Sequence, residues 1–179
     1  MTKEARLYGS SLYELASEEG VSDEMMQQAA TLRQVFAENP AYIALLQEPA
    51  INFDERMGLL DTAFGEQVHP YLMNFIKLLC ERGYMRQFGD CVEAFTQLYD
   101  ADHDVTRALV TSAVELTSKQ KEALQKKLEG ISGKQVVMQT QVDPRLIGGI
   151  RVEIDGKALD GTLSTRLSGI SRSLKEVTL

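Results

Sequence analysis

Tryptophan is absent from this chain, and cysteine and histidine occur twice each. Each shortage removes a class of chemistry. Cys80 and Cys91 stand eleven residues apart within apolar periodic stretches, with no C-x-x-C pair, so they are expected as reduced core thiols. His69 and His103 lack a second histidine at i+4 or a cysteine pair, which excludes the usual zinc spacings. There is no G-x-x-x-x-G-K-[ST], no G-x-G-x-x-G and no G-x-S-x-G. A di-metal bundle site would need Glu-x-x-His pairs, and none exists. Asp100, Asp102 and Asp104 have the alternation of a calcium loop without its glycine or closing glutamate, and are expected as a linker. No cofactor is expected, and no catalytic or metal-binding residue stands out. No apolar run reaches about 18 residues, so no bilayer span is expected. The first twenty residues carry acids and no apolar core, unlike a secretory or transit peptide. The expectation is a protein that works where it is made, in a bacterial cytoplasm. A basic excess is also missing. The net charge of −7 argues against general nucleic-acid binding.

What is present suffices for a core. The 179 residues are 44% hydrophobic and 25% charged, a globular composition sized for one domain or two small ones. The charge is unevenly spread. Residues 1–104 carry 7 Lys/Arg against 18 Asp/Glu, and residues 105–179 carry 12 against 8. A change of sign between halves fits two domains with different partners.

The hydrophobic period changes at the same place. Ala5, Tyr8, Leu12 and Leu15 share one helical face, and Gly20 ends that helix. Ser22 is expected as the next N-cap, with Val21 and Met26 as a hydrophobic staple. Met25, Ala29, Leu32 and Phe36 follow. Pro40 opens a short third helix, and Asn52-x-x-Glu55 caps a fourth ending at Gly65. Pro70 opens a fifth, with Leu72, Phe75, Ile76, Leu79 and Cys80 inward and Gly83 as its stop. Phe88, Val92, Phe95 and Leu98 define a sixth. The expected fold is mainly α: a six-helix bundle over 1–104, followed by a small α/β domain over 105–179.

In that second part, Val105–Val114 reads as a strand. Thr117-x-x-Gln120 is a capping box for a helix ended by Gly130. Gln135–Val142 and Ile150–Ile154 alternate as strands, and Gly148-Gly149 between them fits a bulge or tight bend. Asp155-Gly156 offers a two-residue turn into Lys157–Leu159. Leu163, Leu167, Ile170 and Leu174 make a final amphipathic helix.

With chemistry excluded, surfaces remain. Tyr8, Tyr13 and Tyr71 either pack at core and rim or line a groove for a partner's amphipathic helix. Arg166, Arg172 and Lys175 on the last helix form a solvated face or dock on an acidic partner.

The stretch Leu146–Leu174 holds Gly148-Gly149, the alternating Ile150/Val152/Ile154, the turn Asp155-Gly156, and Asp160-Gly161-Thr162 with Arg166-Leu167. In this order and spacing the elements resemble the C-terminal signature of the delta subunit family of F-type ATP synthases, which includes the mitochondrial oligomycin-sensitivity-conferral protein. The N-terminal half agrees: Ala5-Arg6-Leu7-Tyr8-Gly9 resembles the family's A-x-x-Y-A, with glycine in the last place. Asn74-Phe75-Ile76 leading to Glu81-Arg82-Gly83 resembles its fifth-helix motif, with Tyr84 where the family carries arginine.

The resemblance implies a stator connector without bond chemistry of its own. The helical part would bind the N-terminal helix of an alpha subunit in a groove between helices one and five. Candidate groove residues are Ala5, Tyr8 and Leu12, then Asn74, Lys77, Leu78 and Glu81. The C-terminal part would meet b-type peripheral stalk subunits through Arg166, Arg172 and Lys175. A single copy would sit in the complex, peripheral to the cytoplasmic face of the cell membrane. Gly148, Gly149, Asp160 and Gly161 are read as fold determinants. The rival readings are a generic helical adaptor, an enzyme with scattered groups, and a nucleic-acid binder using the +4 half, which has no aromatic stacking platform.

Overall fold

The computed structural model describes residues 1–146, 148–154 and 157–160, the last four by their backbone alone. Helices and their stops follow local chemistry closely. Helix α1 (Lys3–Glu18) starts where the Thr2 hydroxyl accepts the Ala5 N–H. It ends in a Schellman turn: Gly20 is left-handed at φ 68°, and the Val21 N–H reaches back to Ala16 O at 2.9 Å. Helix α2 (Ser22–Glu38) therefore begins one residue earlier than expected. Val21 closes α1 and caps α2 at once, so Ser22 lies inside the helix and makes no cap. Pro40 supplies the first turn of α3 (Pro40–Leu46). Asn52 Oδ1 accepts the Glu55 N–H at 2.8 Å to start α4 (Phe53–Phe64). Pro70 opens α5 (Pro70–Glu81), which closes with a second Schellman turn at left-handed Gly83. A 3-10 turn (Met85–Gln87) leads into α6 (Phe88–Asp102). Asp100 and Asp102 thus belong to a helix, where a linker was expected.

The core of these helices joins Leu12, Met25, Phe36, Leu46, Leu60, Leu72, Ile76, Leu79, Phe88 and Phe95. Phe36 is its aromatic hub, meeting Phe88 edge-on at 5.0 Å and Phe64 edge-on at 5.6 Å. Cys80 and Cys91 are free thiols buried in this core. Burial pushes the Cys91 thiol up to about 11, and raises Cys80 in the same direction.

The chain divides into two compact units, the first being Met1–Asp102 and the second starting at His103. In the second, strand β1 (Val105–Ser112) pairs in parallel with β2 (Gln135–Val142), and helix α7 (Ser118–Ser132) makes the crossover. Strand β3 (Ile150–Ile154) runs antiparallel to β1, and β4 (Lys157–Asp160) antiparallel to β3, in the order β2-β1-β3-β4. Ile154 faces Lys157 across the last pair. Ala108, Val110, Val136 and Val152 share one face of the sheet and pack with Leu128 of α7. The Thr117–Gln120 capping box forms as read. The helix runs past Gly130, and left-handed Gly133 (φ 69°) closes it. The chain is mostly helical with a small sheet. The final helix expected over residues 163–174 lies outside the described residues.

Helices α1 and α6 approach each other tightly at Gly9. A Cβ added at Gly9 would stand 2.3 Å from Cys91 O and 2.7 Å from Ala94 Cβ. The first of these is backbone and cannot swing away. Gly9→Ala is expected to cost about 1–3 kcal/mol through overpacking. Urea unfolding followed by far-UV circular dichroism checks it; a midpoint equal to the parent chain would show that the two helices separate freely.

Candidate functional site

Helix α1 has two working sides. Ala5, Gly9, Tyr13 and Ala16 turn inward and are buried. Tyr8, Ser11, Leu12 and Leu15 border a cleft of about 280 Å³ shared with α5. Across it stand Tyr71, Asn74, Phe75 and Leu78, spaced i, i+3, i+4, i+7 on one helical face. The lining is dominated by apolar groups, and Leu15 and Leu78 remain 36% and 37% exposed. Large apolar side chains held half-open beside one another are a surface that gains by being covered.

The two helices run antiparallel along this cleft, as the partners at each end show. At one end Tyr8 packs against Tyr84, just past α5, with ring centroids 5.8 Å apart. At the other, Tyr71 in the first turn of α5 bonds to Glu19 at the end of α1. That hydrogen bond, with the carboxylate's charge, pushes the Tyr71 phenol up. The start of α5 is fixed by His69, whose Nδ1 accepts the Tyr71 N–H at 3.3 Å while its ring lies 5.1 Å from the tyrosine ring.

The structure brings together Tyr8, Leu12, Asn74 and Leu78 of the seven groove residues read from the sequence. Ala5 is fully buried in the core and lines no part of the cleft. Lys77 faces away, its Nζ 2.5 Å from Asp61 Oδ1 of α4. Glu81 is exposed at the last position of α5 and is not among the lining residues. Tyr71, considered for a groove from the sequence, lines it, whereas Ser11, Leu15 and Phe75 were missed as groove residues. Their signal was available: each lies three, four or seven residues from a residue that was named. Arg166, Arg172 and Lys175 lie outside the described residues.

Tyr13, the third tyrosine considered for the groove, belongs to the core. It is 8% exposed, meets Phe95 edge-on at 5.4 Å, and donates its hydroxyl to Asp102 Oδ2 at 2.8 Å. The back of α1 is thereby tied to the end of α6. Among the described residues, no group of three or more His, Cys, Asp or Glu side chains could hold a metal ion. No described helix is long and apolar enough to cross a membrane.

Residues 5–174 match the family model described as ATP synthase delta (OSCP) subunit. The chain belongs to the ATP synthase delta (OSCP) subunit family. Relatives named ATP synthase subunit delta cover nearly its whole length. That of Chlorobium phaeobacteroides is 32% identical over 172 residues, 96% of each chain. That of Lactiplantibacillus plantarum is 31% identical over 171 residues, 95% of this chain and 94% of the relative. That of Alkaliphilus oremlandii is 30% identical over 173 residues, 97% and 96%. Among solved structures, a chain of the Toxoplasma gondii mitochondrial ATP synthase hexamer aligns with TM-score 0.73, covering 97% of this chain and 98% of its own. At 16% identity that likeness establishes the shared fold. Tyr8 of the Ala5–Gly9 stretch stands in the α1–α5 cleft, and Tyr84 packs on that tyrosine.

Burial first, and then the Asp102 carboxylate, push the Tyr13 phenol from the ordinary 10.0 to about 12. The unfolded chain therefore releases this proton first as pH rises. The stability it contributes is complete below pH 10 and is lost as pH climbs through about 12. Tyr13→Phe is expected to flatten the fall in unfolding free energy across that window. Urea titrations at several pH values read it, and an unchanged slope would remove Tyr13 from the account.

Proposed function

We propose that this chain is the stator connector of an F-type proton-translocating ATP synthase, holding the catalytic head to the peripheral stalk against the torque of the rotor. The observation that carries the reading is the apolar α1–α5 cleft on a chain of the delta (OSCP) family. The chain is a delta-type component of the peripheral stalk and does no bond chemistry itself. Its first part, residues 1–104, acts as a six-helix bundle that seats the N-terminal helix of an alpha subunit between α1 and α5. Tyr8, Leu12, Asn74 and Leu78 touch that helix, joined by Leu15, Tyr71 and Phe75. Its second part, residues 105–179, meets b-type stalk subunits through Arg166, Arg172 and Lys175. One copy serves each complex, peripheral to the cytoplasmic face of the cell membrane.

The physics suits a torque-bearing joint. A partner helix laid in the cleft removes apolar area from water at roughly 25 cal/mol per Å², before the cost of association. The cleft is largely preformed. Tyr8 is braced by Tyr84 and Tyr71 by Glu19 and His69, so little ordering remains to be done on binding. A generic helical adaptor could use the same cleft, but family membership over residues 5–174 favours the synthase.

Tyr8→Asp puts a charge on the cleft wall at a half-buried position on the edge of the core. It is expected to weaken binding of a peptide carrying the alpha N-terminal helix by tenfold or more, about 1.4 kcal/mol, while the circular dichroism spectrum stays unchanged. Calorimetric titration decides, and equal affinity would discard the groove. Ending the chain at residue 104 is expected to abolish capture of stalk subunits and retain the alpha peptide. Stalk capture by that shortened chain would refute the division of labour.

A further inference from the structure

The sheet of the second unit ends at β2, which pairs with β1 on one side only. The two ends of that ladder show which backbone groups meet β1. The Gln135 N–H donates to Asp104 O, and the Asp143 N–H donates to Ser112 O. Backbone groups alternate along a strand, so the odd-numbered residues of β2 face β1. The even-numbered ones, Val136, Met138, Thr140 and Val142, turn their N–H and C=O to the open edge. At Val136 helix α7 closes that edge. Gln125 Nε2 donates to Val136 O at 3.0 Å, and the Val136 N–H donates to Glu129 Oε1 at 3.4 Å. Beyond it, Met138, Thr140 and Val142 present three donors and three acceptors that no described strand meets.

Exposed edges are commonly blunted by charge, proline or a bulge. Gln135–Val142 has none of these: it contains no charged residue, proline or glycine, and its register with β1 is unbroken. The sequence of β4, at the opposite edge, carries Lys157 and Asp160 within four residues. Side chains beside the open groups are apolar or neutral. Val137 and Val142 are 42% and 50% exposed, and Met138 and Thr140 are half-buried. The unmet groups recur at every second residue, about 6.7 Å apart, over a length of about 13 Å. A helix cannot answer them, because its own N–H and C=O groups are spent internally. An extended backbone can.

We propose that the edge of β2 from Met138 to Val142 is a strand-addition site for an extended, acidic segment of another protein. Charge argues for the acidic partner. Residues 105–179 carry 12 Lys/Arg against 8 Asp/Glu. Helix α7, whose side chains reach this edge, holds Lys119, Lys121, Lys126 and Lys127 against Glu122 and Glu129. A second copy of the chain would bring two such helices together, like charge on like. The chain's own end does not match either. Leu163, Leu167, Ile170 and Leu174 recur at helical rather than strand spacing, and they follow β4 at the opposite edge of the sheet. Backbone bonds supply the affinity, while Val137 on one face and Met138 on the other favour β-branched residues in the added strand. The site belongs to the second unit alone and does not depend on the α1–α5 groove.

The test uses the full chain and a fluorescent peptide of alternating valine and threonine with glutamates at both ends. One form is N-methylated at every second residue, which leaves a single hydrogen-bonding edge and stops the peptide pairing with itself. A second form is N-methylated throughout. A third is methylated like the first, with lysines in place of the glutamates. The first is expected to bind, read by anisotropy, and to slow amide hydrogen exchange at Met138, Thr140 and Val142. The fully methylated form is expected not to bind, and the lysine form to bind about tenfold more weakly. Thr140→Pro removes the central outward N–H and leaves the bonds to β1 whole, so it is expected to lower affinity about tenfold in a folded chain. The proposal falls if exchange at the three amides is unchanged, if full methylation leaves binding intact, or if the lysine form binds as well. Sedimentation showing a dimer of the chain that Thr140→Pro dissolves would also overturn it, giving the edge to a second copy.

Discussion

The approach of α1 to α6 is the constraint on which the first unit rests. At Gly9 the backbones are so close that the Cβ of an alanine would overlap a carbonyl oxygen. Ala5, Gly9, Tyr13 and Ala16 give α1 a buried side of small residues and one tyrosine. The tyrosine locks the contact at its far end by reaching Asp102. Because that side is spent on α6, the adjoining side with Tyr8, Ser11 and Leu15 is left to form a cleft with α5. The groove is a by-product of how firmly the helix is held from behind. A wall held in this way needs little further ordering when the groove is filled.

Most of the local structure was legible because it is written in single residues with local effects. Pro40 and Pro70 start helices, Asn52 and Thr117 cap them, and Gly20 and Gly83 end them in left-handed turns. Errors came where one residue serves two masters. Val21 completes one helix and caps the next, so the serine beside it lost a role that its chemistry suits. Between two glycines three apart, Gly130 and Gly133, nothing local decides which one carries the turn. The acidic stretch after residue 99 was polar enough for a linker, yet Tyr13 anchors Asp102 across 89 residues and α6 continues. Such long-range partners have no signature in a window of ten residues.

The groove was legible in part for the same reason. Tyr8, Leu12, Asn74 and Leu78 follow from family motif and helical period together. Ala5 shares the period but lies against the core, where a small side chain is needed. Lys77 sits one residue from Leu78 and therefore points about 100° round the helix, toward Asp61 on α4. Period places residues on a face; only packing tells which face is free.

The α1–α6 contact also has a consequence for synthesis. The two helices that must meet at Gly9 and Cys91 are separated by about 80 residues of chain. At roughly 5–20 residues per second of translation, α1 waits on the order of 4–16 s before its partner has been made. During that interval its tyrosines and leucines have only α2 and the early helices to shelter them. The closure of the first unit is therefore timed by the emergence of α6.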